Sequence, residues 1–200
     1  MTKTDLDIST LVGSRICHDL ISPLGAIANG VELLSLSGLP QTPEMALIAD
    51  SVENANARIK MFRIAFGAAS ADQQVNASDM QAIMVGLTRG GRLRYDWQAQ
   101  GSALRIHARF ALLLVQALET AMAYGGQITV SETAGTWVIK GTADRLVHDP
   151  ALWRYVDDTQ NADQPLQASQ VHFELIAQLQ HDHGFRVTAD VSDTEIAITF

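Results

Sequence analysis

The stretch SRICHDLISPLG, Ser14–Gly25, decides the fold that this sequence predicts. Apolar side chains recur through and beyond it at spacings of three or four residues, which is the period of one helix face. The stripe comprises Gly13, Ile16, Leu20, Leu24, Ile27, Val31 and Leu34. Pro23 removes one backbone hydrogen bond inside this helix, so we expect a local bend near Asp19 and Leu20. The stretch therefore predicts a long amphipathic helix.

A second helix is predicted at residues 45–66, where apolar residues again follow a narrow heptad stripe. Thr42, Pro43 and Glu44 supply an N-cap, a proline at the first helical position and an early acid. Residues 37–41 turn the chain between the helices, giving a hairpin with arms of roughly 40 Å. Because two helices cannot bury both stripes, two copies are expected to pair as a dimeric four-helix bundle. We therefore predict a homodimer.

From about Asn76 onward, helical and strand periodicities alternate. Strands are predicted at residues 92–98, 127–132, 137–141, 185–191 and 195–200, and helices at residues 78–89, 108–124 and 165–183. The polar segment 148–163 is interpreted as a loop with one helical turn. The pattern indicates an α/β sandwich with helices on one face of a mixed sheet. The chain thus divides into a hairpin, residues 1–73, and an α+β domain, residues 74–200.

The composition is that of an ordinary globular protein, with 47% apolar and 18% charged residues. The net charge of −8 argues against nucleic-acid binding, which requires an excess of lysine and arginine. No apolar run approaches the roughly 20 residues that span a bilayer, so we expect no membrane span. The single cysteine, Cys17, and the polar residues 1–5 favour a cytoplasmic protein without a secretory leader.

His18 is the residue best placed for chemistry. At about 100° per residue it projects roughly opposite Ile16 and Leu20, so its imidazole should point away from the bundle. Neutral imidazole offers a nucleophilic nitrogen at pH 7 and suits a phosphoacceptor. Asp19 is predicted to orient the ring or to exchange its proton. An ordinary exposed histidine beside a surface acid is the competing interpretation.

Small side chains share the face of His18, so the concave active site of another protein has room to approach the imidazole. These neighbours are Ser14, Ser22, Gly25 and Asn29. The residues predicted to dock the partner are Arg15, Ser22, Gly25 and Asn29.

The run His18–Leu24 resembles the H-box of dimeric sensor histidine kinases, in which an acid follows the phosphorylated histidine and a proline and a leucine come five and six residues after it. The helical hairpin is similar too. The downstream half resembles the ATP-binding domain of these kinases, most clearly from Ile176 through Gly184 to Phe200. The resemblance covers nearly the whole chain.

The motifs with which these kinases bind nucleotide are missing. Gln116 and Thr120 stand where asparagines would hold Mg-ATP, and the segments 142–146 and 167–171 lack the glycines of the phosphate-binding loops. Glycine is needed there so that backbone amides can approach phosphate. We therefore expect a degenerate histidine-kinase ATPase-like domain with no ATP binding and no autokinase activity.

A kinase-like hairpin followed by a degenerate nucleotide domain is similar to the ChpT-type histidine phosphotransferases of alphaproteobacteria, and Asn29-Gly30 strengthens the match. This resemblance implies a homodimer in which His18 takes phosphate from the receiver domain of a hybrid histidine kinase and gives it to receiver domains of response regulators. It also implies that Mg²⁺ belongs to the receiver, so that this chain has no cofactor and no metal. The alternatives are a non-catalytic protein that binds receivers or kinases, and an active kinase that labels itself with ATP.

Other conspicuous residues have simpler interpretations. Cys17 is expected to be a small packed residue, because consecutive helical side chains diverge. His181–His183 is expected at a solvated helix end rather than in a metal site. Arg89, Arg92 and Arg94 are assigned to a solvated turn, with a contact to an acidic partner as the alternative. The predicted anchors of a core or an interface are Trp97, Trp137 and Trp153.

Overall fold

The first two elements of the structure are helices, α1 at Ile8–Leu36 and α2 at Pro43–Ala65. The structure is a computed structural model that describes residues 8–38, 42–67, 70, 72–157, 162 and 165–200. A Cβ atom at Gly13 would lie 3.6 Å from the Cβ atom of Phe66, so the start of α1 lies beside the end of α2. The two helices therefore form the predicted antiparallel hairpin. The turn residues 39–41 lie outside the described residues.

The start of α2 is confirmed at the level of single atoms. The Thr42 hydroxyl accepts a hydrogen bond of 3.3 Å from the backbone N–H of Met45, and Pro43 opens the helix. This bond satisfies one of the N–H groups that a helix leaves unpaired at its start. Helix α1 runs through Pro23 as a single helix, and the local bend near Asp19 and Leu20 stays a prediction.

The remaining elements build a small β-ribbon and a larger mixed sheet with helices. They are β1 at Gln74–Asn76, α3 at Ala77–Thr88, β2 at Leu93–Trp97, β3 at Ser102–Leu104, α4 at Arg105–Ala121, β4 at Gly126–Thr133, β5 at Thr136–Thr142, α5 at Pro150–Asp157, a 3₁₀ turn at Ala168–Gln170, α6 at Val171–His183, β6 at Thr188–Val191 and β7 at Glu195–Thr199. The ribbon pairs β1 with β3, and the sheet has the order β2-β4-β5-β7-β6. Only the β2-β4 pair of that sheet is parallel. The prediction of helices combined with a mixed sheet is confirmed.

The core lies between α4 and one face of the large sheet. Strand residues alternate between buried and less buried positions, so one face of the sheet is covered. A Cβ atom at Gly141 would lie 2.8 Å from the Met122 sulfur and 3.2 Å from Leu118, which shows how closely the helix approaches the sheet. The three tryptophans Trp97, Trp137 and Trp153 are all buried, as predicted.

Several predicted boundaries are corrected. Segment 148–163 is predicted to be a loop with one helical turn, yet Pro150–Asp157 is a helix of 8 residues whose apolar side buries Leu152 and Trp153; residues 158–161 and 163 lie outside the described residues. The helix predicted at 165–183 begins only at Val171. The strand predicted at 185–191 begins at Thr188. The three-residue strands of the ribbon were not predicted.

Helix α2 has a second buried face that the heptad stripe did not predict. Ala57, Met61, Ile64 and Ala65 are buried, and they belong to the core of the downstream half. A Cβ atom at Gly86 of α3 would lie 2.6 Å from the Cβ atom of Ala57, so glycine is required where the two helices meet. Helix α2 therefore packs on α1 with one side and on α3 and α4 with another.

Polar bonds reinforce the contact between α2 and the downstream half. Asn54 donates to the carbonyls of Leu87 at 2.8 Å and Arg89 at 3.1 Å. Arg105 and Arg109 of α4 donate to the carbonyls of Arg63 and Ala65, at 2.6 and 3.0 Å. These donors satisfy carbonyl groups at the ends of α3 and α2. The division into residues 1–73 and 74–200 stays a prediction.

Candidate functional site

His18 lies in the first half of α1, and its side chain is 83% exposed. The imidazole Nδ1 is 3.1 Å from Oδ1 of Asp19. The other carboxylate oxygen, Oδ2, accepts a hydrogen bond of 2.7 Å from Nε of Arg15, one helical turn earlier. The three side chains form an exposed chain of contacts along one face of α1.

The charge of Asp19 determines which nitrogen of the His18 imidazole carries the proton. The hydrogen bond from His18 lowers the pKa of Asp19, and the hydrogen bond from Arg15 lowers it further. Asp19 is therefore a carboxylate at neutral pH and can only accept, so we assign the ring proton to Nδ1 of His18. That tautomer leaves the lone pair on Nε2, the outer nitrogen of the ring.

The predicted docking residues lie around His18 as the helical period requires. Ser22 and Asn29 are exposed, whereas Gly25 is half-buried. A Cβ atom at Gly25 would meet nothing within 4 Å, so a larger side chain fits there without disturbing the helix. Their role in docking stays a prediction.

The opposite side of α1 is apolar and exposed. Ile16, Leu20, Ile27 and Leu34 are 54%, 44%, 50% and 46% exposed. These four residues of the predicted stripe therefore do not face α2. The side of α1 that contacts α2 carries Cys17 instead. Cys17 is 6% exposed and burial raises the pKa of its thiol, which confirms the interpretation as a packed residue.

A partly buried ion-pair network that the sequence did not predict connects α2 to the downstream half. Arg58 Nη1 donates to both carboxylate oxygens of Glu119, at 2.9 and 2.8 Å. The Tyr95 hydroxyl donates to Oε1 of the same carboxylate at 2.8 Å. Burial, followed by the charge of Glu119, raises the pKa of Tyr95. The three residues are far apart in sequence, so no local pattern could have indicated them.

The other conspicuous residues have structural roles. Arg89 contacts Glu53 at 3.0 Å and Asp50 at 3.7 Å. His181 lies at the end of α6 and contacts Asp182 at 3.0 Å. Within the described ranges, no three His, Cys, Asp or Glu side chains are grouped so as to hold a metal ion. No helix among the described residues is long and apolar enough to cross a membrane.

The two polar residues at which the resemblance to kinases predicts asparagines bond to the backbone of α4 itself. Gln116 is buried and donates to the Leu112 carbonyl at 3.3 Å. The Thr120 hydroxyl donates to the Ala117 carbonyl at 2.7 Å. Helix α5 packs nearby on α6, where Gln180 donates to the carbonyls of Tyr155 and Val156 at 3.3 and 3.0 Å.

Comparison with known proteins places this architecture among phosphotransferases. The family model of the histidine phosphotransferase C-terminal domain matches residues 77–195. The protein phosphotransferase ChpT of Brucella abortus (strain 2308) is 31% identical over 207 aligned residues, which cover 100% of this chain and 97% of that protein. A 1.7 Å structure of a bacterial phosphotransferase is similar with a TM-score of 0.68 and 29% identity, covering 100% of this chain and 98% of that one.

Proposed function

This chain belongs to the histidine phosphotransferase family, and we propose that His18 carries phosphoryl groups between aspartates of receiver domains, from a hybrid histidine kinase to response regulators. The observation that supports this proposal most strongly is the geometry of the imidazole. The ring is 83% exposed, its Nδ1 contacts the Asp19 carboxylate, and Nε2 has no bonding partner among the described residues. A nucleophile held in this way is accessible to a large protein partner.

Phosphoryl transfer to His18 requires no proton from solvent and releases none. The lone pair of Nε2 forms a bond to phosphorus, and the bond from phosphorus to the receiver's aspartate breaks, returning its electron pair to that carboxylate. His18 keeps its proton on Nδ1, so the phosphorylated ring is cationic and lies beside the Asp19 carboxylate. Transfer to the next aspartate is the reverse reaction. We propose that Mg²⁺ comes with the receiver domain.

We also propose that the protein acts as a homodimer. The apolar stripe of Ile16, Leu20, Ile27 and Leu34 lies on the side of α1 away from His18. A stripe of this kind on two hairpins completes a four-helix bundle when they pair. His18 then stays on the outer surface of each hairpin, where a receiver has access to it.

No ATP is required for this activity, and we propose that the degenerate domain does not bind it. Gln116 and Thr120 direct their polar groups to carbonyls of their own helix. Helix α5 buries Trp153 and Val156 after the segment where a glycine-rich loop would be expected. Both observations support a domain that serves packing and recognition.

A receiver-to-His18 transfer assay tests the proposal. Full-length protein is mixed with a receiver domain that carries ³²P on its aspartate, with and without ATP, and acid-labile, base-stable label is followed. We expect label on the wild-type protein, none on His18→Ala, and slower transfer by Asp19→Asn, because the amide does not select the Nδ1–H tautomer as a carboxylate does. Absence of label on wild-type protein would leave the non-catalytic binding protein as the remaining interpretation, whereas relay by His18→Ala would show that another residue carries the phosphoryl group. Labelling by ATP alone would contradict the account of the degenerate domain.

A further inference from the structure

A cavity of about 370 Å³ opens between α2, β1, α3 and the start of α4. Its charged lining consists of three cations and one acid: Lys60, Arg63, Arg105 and Asp79. We call it the cationic cavity. An excess of positive charge is unusual in a chain whose net charge is −8.

The cations of this cavity form no ion pair among the described residues. Lys60 and Arg63 are exposed, and neither forms an ion pair within the part of the chain that the structure describes. The Nε atom of Arg105 is buried and has no hydrogen-bond partner among the described residues. Burial, and then the charge of Arg63, lowers the pKa of Arg105. A partly buried donor and two neighbouring positive charges are stabilised when an anion binds between them.

Structural roles account for only part of this arrangement. Arg63 lies in the last turn of α2, where a positive charge interacts favourably with the helix dipole. Arg105 donates from Nη2 to the Arg63 carbonyl at 2.6 Å, beside Gly67, where a Cβ atom would lie 3.1 Å from Nη2. These contacts leave Nε of Arg105 without a hydrogen-bond partner among the described residues, and Lys60 forms no ion pair there.

The cationic cavity lies at the level of His18 and on the same side of the hairpin. Because Gly13 lies beside Phe66 in an antiparallel pair, His18 is level with Met61. At about 100° per residue, Lys60 and Arg63 project from α2 to the side on which His18 projects from α1. The charge of Arg63 also acts on the thiol of Cys17, next to His18. A partner that covers His18 therefore also faces these cations.

We propose that the cationic cavity binds carboxylate groups on the surface of the receiver domain that docks over His18. The proposal rests on the proposed function and adds a second anchor point to it. Charge attraction of this kind raises the rate of encounter and fixes the orientation of the partner, and it weakens as salt is added. The site is thus shared between the hairpin, which supplies Lys60 and Arg63, and the downstream half, which supplies Arg105.

The first test measures anion binding without any phosphoryl transfer. Anisotropy of a fluorescein-labelled hexaglutamate peptide is recorded with full-length wild-type protein and with Lys60→Ala/Arg63→Ala. The control Arg154→Ala/Arg186→Ala removes two exposed positive charges elsewhere, and Arg92→Ala/Arg94→Ala removes the rival basic spot. Arg105 is left intact because it caps α2. We expect affinity to fall about tenfold in Lys60→Ala/Arg63→Ala and to change little in both other variants. Equal affinity of Lys60→Ala/Arg63→Ala and wild type, or loss confined to Arg92→Ala/Arg94→Ala, overturns the proposal.

The second test uses transfer from a receiver domain that labels wild-type His18. In Lys60→Ala/Arg63→Ala, KM for the phosphorylated receiver should rise several-fold with kcat nearly unchanged, and kcat/KM should depend less steeply on salt. An unchanged KM and salt dependence would count against the cavity even if transfer itself is normal. Wild-type protein that binds the peptide but accepts no phosphate would instead count against the relay.

Discussion

Glu119→Ala is expected to destabilise the contact between the hairpin and the downstream half. The Glu119 side chain is 19% exposed and accepts from Arg58 and Tyr95. Its removal leaves a guanidinium that is 30% exposed, and a buried hydroxyl, without their acceptor. Breaking a fully buried pair from one side costs about 3–5 kcal/mol. The partial exposure of Arg58 lets water replace part of the interaction, which lowers the expected loss to roughly 2–3 kcal/mol.

Thermal unfolding followed by circular dichroism measures this loss. For a chain of this length, roughly 2–3 kcal/mol corresponds to a fall in Tm of about 4–12 °C. Glu119→Gln keeps an acceptor for Tyr95 and should fall between Glu119→Ala and the wild type. Glu174→Ala, which removes an exposed acid from α6, is the matched control and should change the stability by less than about 0.5 kcal/mol.

A double-mutant cycle separates the interaction from the loss of side-chain packing. Arg58→Met combined with Glu119→Leu removes both charges, so the double variant should lose less stability than the two single variants together, by about 1–3 kcal/mol. A coupling below about 0.5 kcal/mol, or an unchanged Tm in Glu119→Ala, would show that the network does not hold α2 to the downstream half.

Two further predictions concern acid stability and assembly. Burial lowers the pKa of His172 from 6.5 to about 4. Between these pH values the unfolded chain binds a proton at His172 and the folded protein does not. This stabilisation is complete above pH 6.5 and is lost as the pH falls to about 4, by at most about 3 kcal/mol. Urea unfolding across this range should show a flatter pH dependence for His172→Phe than for the exposed control His181→Gln, and equal slopes would contradict the assignment. Ile27→Asp should weaken the dimer at least about a hundredfold, whereas Leu33→Asp, on the other side of α1, should not. Light scattering that reports a dimer for Ile27→Asp would refute the bundle geometry.

Local patterns were sufficient where short-range chemistry decides the structure. Thr42 and Pro43 marked the start of α2 because a cap and a proline act within one turn. The same signature stands at Asp149 and Pro150, where the aspartate accepts from the Ala151 N–H at 3.0 Å. Helix α5 was therefore predictable from this signature. The polar composition of segment 148–163 led instead to the prediction of a loop with one helical turn. The ribbon was not, because strands of three residues have too little periodicity to be recognised.

In the candidate site, too, the local features were predictable from the sequence and the long-range contacts were not. The outward projection of His18 follows from the helical period, which is a property of the local sequence. Its contact with Asp19 is local too, because the two residues are adjacent in the chain. The network around Glu119 and the cationic cavity depend on contacts between residues that are 24 to 61 positions apart. Such contacts exist only after the hairpin has packed on the downstream half, and no pattern within a single helix encodes them.

The two packed faces of α2 have a consequence for redesign of partner choice. A substitution on α2 is constrained twice, because Ala57 meets Gly86 on one side while Phe66 meets Gly13 on another. The outer face of α1 carries no such constraint, and Gly25 accepts a larger side chain there. Libraries that aim to redirect the protein toward new receivers should therefore vary the outer face of α1 around His18 and keep the packed residues of α2 unchanged.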